Sequence, residues 1–114
     1  MTTVTFEKNE HGYKAFTCFG HAGFAKKRRD GYEPDILCAA VSALTMNVVN
    51  GLEELAGEQL TITQNPEDGF LRCEIHSVLK ESSVLLVDAF ALSLKNLSEQ
   101  YGKKYLTVNF KEVR

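Results

Sequence analysis

The sequence predicts an α+β domain of order ββαββαβ, a mainly antiparallel sheet with two helices packed on one face. Three observations carry that reading. The chain has 114 residues, 44% of them hydrophobic, which suits one core and a single domain spanning 1–114. Five short segments alternate polar and apolar residues with the period of two that a half-buried strand requires. Two longer segments, beginning at 35 and at 78, repeat apolar residues at helical spacing instead.

The elements follow in order. Residues 2–8 alternate with Val4 and Phe6 on one face, Asn9-Glu10-His11-Gly12 has turn chemistry, and residues 13–20 return as a second strand. Residues 21–34 hold two glycines, a proline and the run Lys26-Lys27-Arg28-Arg29; no period fits, so they read as a long loop. Asp35 is a strong N-cap, because its carboxylate can accept from the first free N–H groups of a helix. Leu37, Val41, Leu44, Val48, Leu52 and Leu55 form the buried stripe of that helix, and Gly57 ends it. Residues 59–64 alternate with Leu60 and Ile62 inward, Asn65 to Gly69 is a turn, and 70–76 is the partner strand with Leu71, Cys73 and Ile75 on one face. A second helix over 78–101 carries Val84, Val87, Ala91, Leu94, Leu97 and Tyr101 and stops at Gly102. The last strand, 104–110, points Leu106, Val108 and Phe110 one way.

Composition narrows the function classes. Thirteen basic against fifteen acidic residues give a net charge of −2, which excludes a globally basic surface for nucleic acid. Low hydrophobicity and high net charge, the marks of intrinsic disorder, are both absent. Three cysteines, an odd number, cannot all pair within the chain, and unpaired thiols point to the reducing cytoplasm. The N-terminal Met1-Thr2-Thr3-Val4 has no charged segment before an apolar run, so no signal peptide is expected. No stretch approaches the roughly 18–20 apolar residues needed to span a bilayer, so no membrane partner is expected.

Cys38 is the sharpest chemical position. As the third residue of the helix capped by Asp35, it lies where the dipole and free N–H groups favour a thiolate and could also donate to an oxyanion beside the sulfur. The competing reading is core packing, since Ile36, Leu37, Ala39 and Ala40 around it are apolar. His21 is the best base: it opens the long loop directly after Gly20, where a glycine lets the backbone turn sharply. A solvated loop histidine is the bland alternative, and His11 and His76 suit that description equally. Ser42, one turn after Cys38, shares its face and either lines the same pocket or caps a carbonyl. Cys18-x-x-His21 and Cys73-x-x-His76 superficially make a four-ligand zinc set. Residues three apart on a strand point to opposite faces, so no metal is expected. Asp88 is read as lying beside the apolar stripe of its helix.

Gly20-His21-Ala22 followed by Asp35-Ile36-Leu37-Cys38-Ala39-Ala40-Val41-Ser42-Ala43-Leu44 resembles the ribosomal-processing cysteine protease family, Prp. The family's G-H-A and D-I-V-C-A-A-V-S-x-L segments are matched with Leu37 for the usual valine, and chain length and element order fit throughout. The resemblance implies a cytoplasmic, homodimeric cysteine endopeptidase with a Cys/His dyad and no cofactor. Its substrate would be the N-terminal extension on a precursor of a large-subunit ribosomal protein, L-twenty-seven. Cys38 is then the nucleophile and His21 the general base, with Asp35 and Ser42 in supporting positions and no nucleic acid required. The chain departs from the family between His21 and Cys38, where the loop is longer around 26–34. Pro34 precedes Asp35 there, and Glu33 stands where the family has glycine. The reading from another class is a non-catalytic ribosome- or RNA-associated module that uses the basic loop 26–29 as its contact.

Overall fold

The computed structural model describes residues 1–25, 27–28, 31–32 and 35–114. Its strands are β1 (Thr2–Asn9), β2 (Gly12–Phe19), β3 (Lys27–Arg28), β4 (Gly31–Tyr32), β5 (Leu60–Asn65), β6 (Phe70–Ile75) and β7 (Leu106–Glu112). The helices are α1 (Ile36–Asn50) and α2 (Glu81–Tyr101). The main sheet has the order β5-β6-β2-β1-β7, so the α+β arrangement expected from the periodicities is the one observed. β1/β2, β2/β6 and β5/β6 are antiparallel, whereas β1 and β7 are parallel. That parallel pair follows from connectivity. β6 and β7 run the same way with two strands between them, and a parallel connection needs a crossover, which α2 supplies.

One face of the sheet is covered. Val4, Phe6, Phe16, Cys18, Cys73 and Leu106 point to it and are buried, and the helices close over them with Leu37, Val41, Val48, Val87, Phe90 and Leu94. Phe6 is the hub at one end, its ring centroid 5.6 Å from Phe90, 5.9 Å from Phe16 and 5.3 Å from Phe110. A bulge where Glu7 faces Ala15 and Lys8 faces Tyr13 shifts the phase of β2, so that Tyr13 joins Phe16 in the core. The Tyr13 hydroxyl donates a hydrogen bond to Asp88 Oδ1, 2.5 Å away, which explains why an acid sits beside the apolar stripe of α2. Burial, with the Asp88 carboxylate alongside, raises the Tyr13 phenol well above its ordinary range. On the open face, Arg72 donates to Glu7 at 2.5 Å and to Thr17 at 2.9 Å, fastening three adjacent strands.

Several boundaries differ from the sequence reading. The long loop contains the short antiparallel ladder β3–β4, which two residues a side are too few to announce as a period. The side chains of the basic run 26–29, and Glu33 and Pro34, lie outside the described residues. The first helix does reach Leu55, but its last turn, Gly51–Leu55, is a π turn closed by Ala56 N–H to Gly51 O at 2.9 Å. The wider turn rotates Leu55 away from the stripe, leaving it 88% exposed while Leu52 is fully buried. By length and composition Ile36–Leu55 could cross a membrane, against the expectation that no stretch is long and apolar enough. In the fold, Leu37, Val41, Val48, Val49 and Leu52 pack that helix into the core. The second helix starts at 81 rather than 78, because Lys80 is extended and its ammonium binds the Ala56 carbonyl at the end of the π turn. β7 begins at Leu106, and Phe110 remains 50% exposed at the sheet edge although stacked on Phe6.

Two substitutions test this packing in urea unfolding. Phe6→Ala removes the aromatic hub and is expected to cost about 3–5 kcal/mol. Ser83 is fully buried on α2, and its hydroxyl has no hydrogen-bond partner among the described residues. Ser83→Ala is therefore expected to stabilise the protein, by on the order of 1 kcal/mol, and a lower urea midpoint would contradict that account.

Candidate active site

The end of β2 meets the chain before β1 on one side and the β5–β6 turn on the other, and a glycine permits each approach. Gly20 has φ +92, and a Cβ there would lie 2.3 Å from the Met1 carbonyl oxygen. Gly69 has φ +62, and a Cβ there would lie 2.5 Å from the Gly20 oxygen. Gly20 N–H donates to Asp68 O at 3.1 Å across this contact. His21 therefore emerges beside the turn Pro66–Asp68, with Nε2 2.9 Å from the Glu67 carbonyl oxygen.

Asp35 caps α1 as the sequence predicts, and it does more. Its Oδ1 accepts from Cys38 N–H at 2.9 Å, while Oδ2 accepts from Phe24 N–H at 2.9 Å and Ala25 N–H at 3.3 Å. The loop that leaves His21 is thus tied to the helix that carries Cys38. Phe24 is further held edge-on against Tyr101 and Tyr105, at 5.0 and 5.1 Å. Burial acts to raise the Asp35 carboxyl, but hydrogen bonds from Cys38, Phe24, Ala25 and Leu37 outweigh it and hold the group below its ordinary value.

One consequence corrects the sequence reading of the oxyanion site. The N–H group of Cys38 goes to the Asp35 carboxylate at 2.9 Å, and that of Ala39 goes to the Asp35 carbonyl at 3.0 Å. They are not free to receive an oxyanion beside the sulfur.

His21, Cys38 and Ser42 line one cleft of about 240 Å³ between α1 and the β5–β6 end of the sheet. Cys38, Val41, Ser42, Thr45 and Met46 supply its helical wall at i, i+3, i+4, i+7 and i+8. Gln64, Pro66, Gly69, Phe70 and Leu71 supply the opposite wall, and Thr2 and Cys18 line it from β1 and β2. Asp35 stands behind the cleft. Cys38 is half-buried, which separates it from the other two thiols. Cys18 is buried with its sulfur 3.7 Å from the Thr45 hydroxyl, and burial pushes its thiol up to about 11 against a lowering by that hydroxyl. Cys73 is fully buried, and burial followed by the nearby Glu53 carboxylate pushes it up to about 12. His76 meets the Thr61 hydroxyl at 2.5 Å, away from Cys73 in the core. Among the described residues, no group of three or more His, Cys, Asp or Glu could hold a metal.

The sequence reading missed the wall formed by Gln64, Pro66, Gly69 and Phe70. Its only local signal was turn chemistry, which says nothing about what the turn packs against. Thr45 was also missed, because a threonine between apolar positions does not mark a buried stripe; it is buried with its hydroxyl donating to Val41 O at 2.7 Å.

The family profile described as "Cysteine protease Prp" matches residues 1–106. The chain belongs to the Prp cysteine protease family. The ribosomal processing cysteine protease Prp of Bacillus subtilis (strain 168) is 26% identical over 106 residues, covering 89% of this chain and 90% of that protein. The crystal structure of SMU.848 from Streptococcus mutans is similar at TM-score 0.81 and 30% identity, over 99% of this chain and 96% of that one. The Prp of S. aureus, crystallised with a covalently linked product peptide, shares the fold at TM-score 0.81 and 24% identity, over 97% and 100% of the two chains.

Two measurements probe the site. Iodoacetamide at neutral pH is expected to modify Cys38 well before Cys18 and Cys73, whose buried thiols stay protonated below about 11 and about 12. Equal labelling of all three by mass spectrometry would contradict this. For Asp35, the folded value lies below the unfolded one of about 3.9, so its contribution is complete above that pH and is lost as pH falls through the folded value. Asp35→Ala is expected to cost about 1–2 kcal/mol at neutral pH, and this difference should shrink in acid.

Proposed function

We propose that this protein is a cysteine endopeptidase that removes the N-terminal extension from a precursor of an L-twenty-seven-type ribosomal protein. It works as a cytoplasmic homodimer, without a cofactor. Cys38 is the nucleophile and His21 the general base. The observation that carries this reading is that the two residues, seventeen apart in the chain by their numbers, open on the same cleft. Membership of the Prp cysteine protease family supports the reaction class, and the S. aureus Prp structures with a substrate peptide and a covalently linked product peptide support a peptide as ligand.

The chemistry is acyl transfer. The Cys38 thiolate attacks the peptide carbonyl carbon, His21 protonates the departing amine, and water hydrolyses the thioester. With the N–H groups of Cys38 and Ala39 taken by Asp35, the Ser42 hydroxyl and the Gln64 amide are polar side chains of the cleft able to donate to the carbonyl oxygen under attack. The walls of Met46, Phe70 and Leu71 suit apolar side chains of an extended peptide. Cys38→Ala and His21→Ala should each abolish cleavage of a precursor peptide spanning the extension while leaving the urea midpoint near that of the parent. Full activity in either variant would overturn the assignment. Cleavage by neither variant nor parent, with ribosome association lost on charge reversal of Lys26–Arg29, would favour the non-catalytic module instead.

A further inference from the structure

We propose that the main-chain carbonyl of Glu67 orients the proposed base, holding His21 as the Nε2–H tautomer so that Nδ1 is the nitrogen that exchanges protons with Cys38. The inference rests on the dyad reading above and adds a third group to it. A carbonyl oxygen only accepts, so the 2.9 Å contact between His21 Nε2 and Glu67 O requires the hydrogen to sit on Nε2. A neutral imidazole has one N–H, which leaves the lone pair on Nδ1.

The carbonyl is fixed independently of the histidine. Gly69 N–H donates to Pro66 O at 3.1 Å, the Asn65 amide donates to Asp68 Oδ2 at 2.8 Å, and Gly20 N–H donates to Asp68 O at 3.1 Å. Gly69 seats the turn against the ring: its missing Cβ would stand 3.2 Å from His21 Cε1 and 2.5 Å from the Gly20 oxygen.

The proton balance is closed. The Cys38 S–H proton passes to Nδ1 while Nε2–H stays on the Glu67 oxygen. As the sulfur–carbon bond forms and the carbon–nitrogen bond breaks, the Nδ1 proton goes to the leaving amine. In deacylation, water gives a proton to Nδ1 as its oxygen attacks the thioester, and that proton returns to the sulfur. The ring ends each half as the neutral Nε2–H tautomer. Glu67 is thus a positioning residue, acting through its backbone and not its carboxylate.

The test combines nitrogen-15 NMR of the three histidines with cleavage kinetics on the precursor peptide. The Cys38→Ala protein, above the pH at which the ring titrates, is expected to show His21 entirely as Nε2–H with its ring proton protected from exchange. The resonance is assigned by its loss in His21→Ala. Gly69→Ala should convert the ring to a tautomer mixture and lower kcat on the order of 10- to 100-fold with KM little changed. Should Gly69→Ala fail to fold, Asp68→Ala, which loses only the Asn65 tie, should show the same ring and kcat changes to a smaller degree. An Nδ1–H ring in the Cys38→Ala protein would overturn the inference, as would parent kcat with an unchanged ring in the folded turn variants. If His21→Ala is inactive and the ring is nonetheless Nδ1–H, only the tautomer assignment fails. If His21→Ala cleaves normally, the dyad itself fails.

Discussion

The site depends first on one carboxylate. Asp35 accepts from Cys38 N–H with one oxygen and from Phe24 and Ala25 with the other. A lone N-cap would order the first turn of α1 and nothing else. Here the same group joins both ends of the segment that separates His21 from Cys38, so the position of the thiol and the exit of the loop after the histidine are set together. The hydrogen bonds keep the group ionised, and its charge in turn occupies the helix N-terminus that would otherwise be open to an anion. The arrangement gives position to the sulfur and removes the simplest oxyanion donors from it.

The second constraint is the contact between Gly20 and Gly69. Neither position tolerates a Cβ at its present distance from neighbouring backbone, and both have positive φ. Their approach brings the β5–β6 turn against the end of β2 and closes the cleft on the side away from α1. The three thiols then divide by environment. Cys73 and Cys18 are driven upward in pKa by burial in the sheet core, and Cys38 sits half-exposed at the mouth of the cleft. Of the two buried sulfurs, that of Cys18 also belongs to the lining of the cleft.

Much of this was readable in the chain. Alternation in 2–8 and 13–20, the turn at 9–12 and the stripe from Leu37 to Leu52 report directly on which side chains leave water, and those elements appear where the periodicities put them. Asp35 as cap and Cys38 in the first turn are local facts of helix initiation. The failures are equally local in origin. Leu55 fits a 3.6-residue repeat but lies at the end of a π turn, whose extra residue no apolar spacing announces. The bulge in β2 puts Tyr13 and Phe16 on one face although strict alternation separates them.

What the sequence by itself determined was the two helices and the five strands of the main sheet, and two side chains chemically suited to each other, because helical and strand periods and capping are properties of neighbouring residues. Only the tertiary structure decided that β7 runs parallel to β1, that Gln64 and Phe70 face Cys38 across a cleft, and that the Glu67 carbonyl meets the His21 ring. Those are contacts between residues 26 to 104 positions apart by their numbers, fixed by how the sheet orders its strands and by where two glycines let backbones touch. A backbone carbonyl has no letter in the sequence, so its part in the site could appear only once the chain was folded.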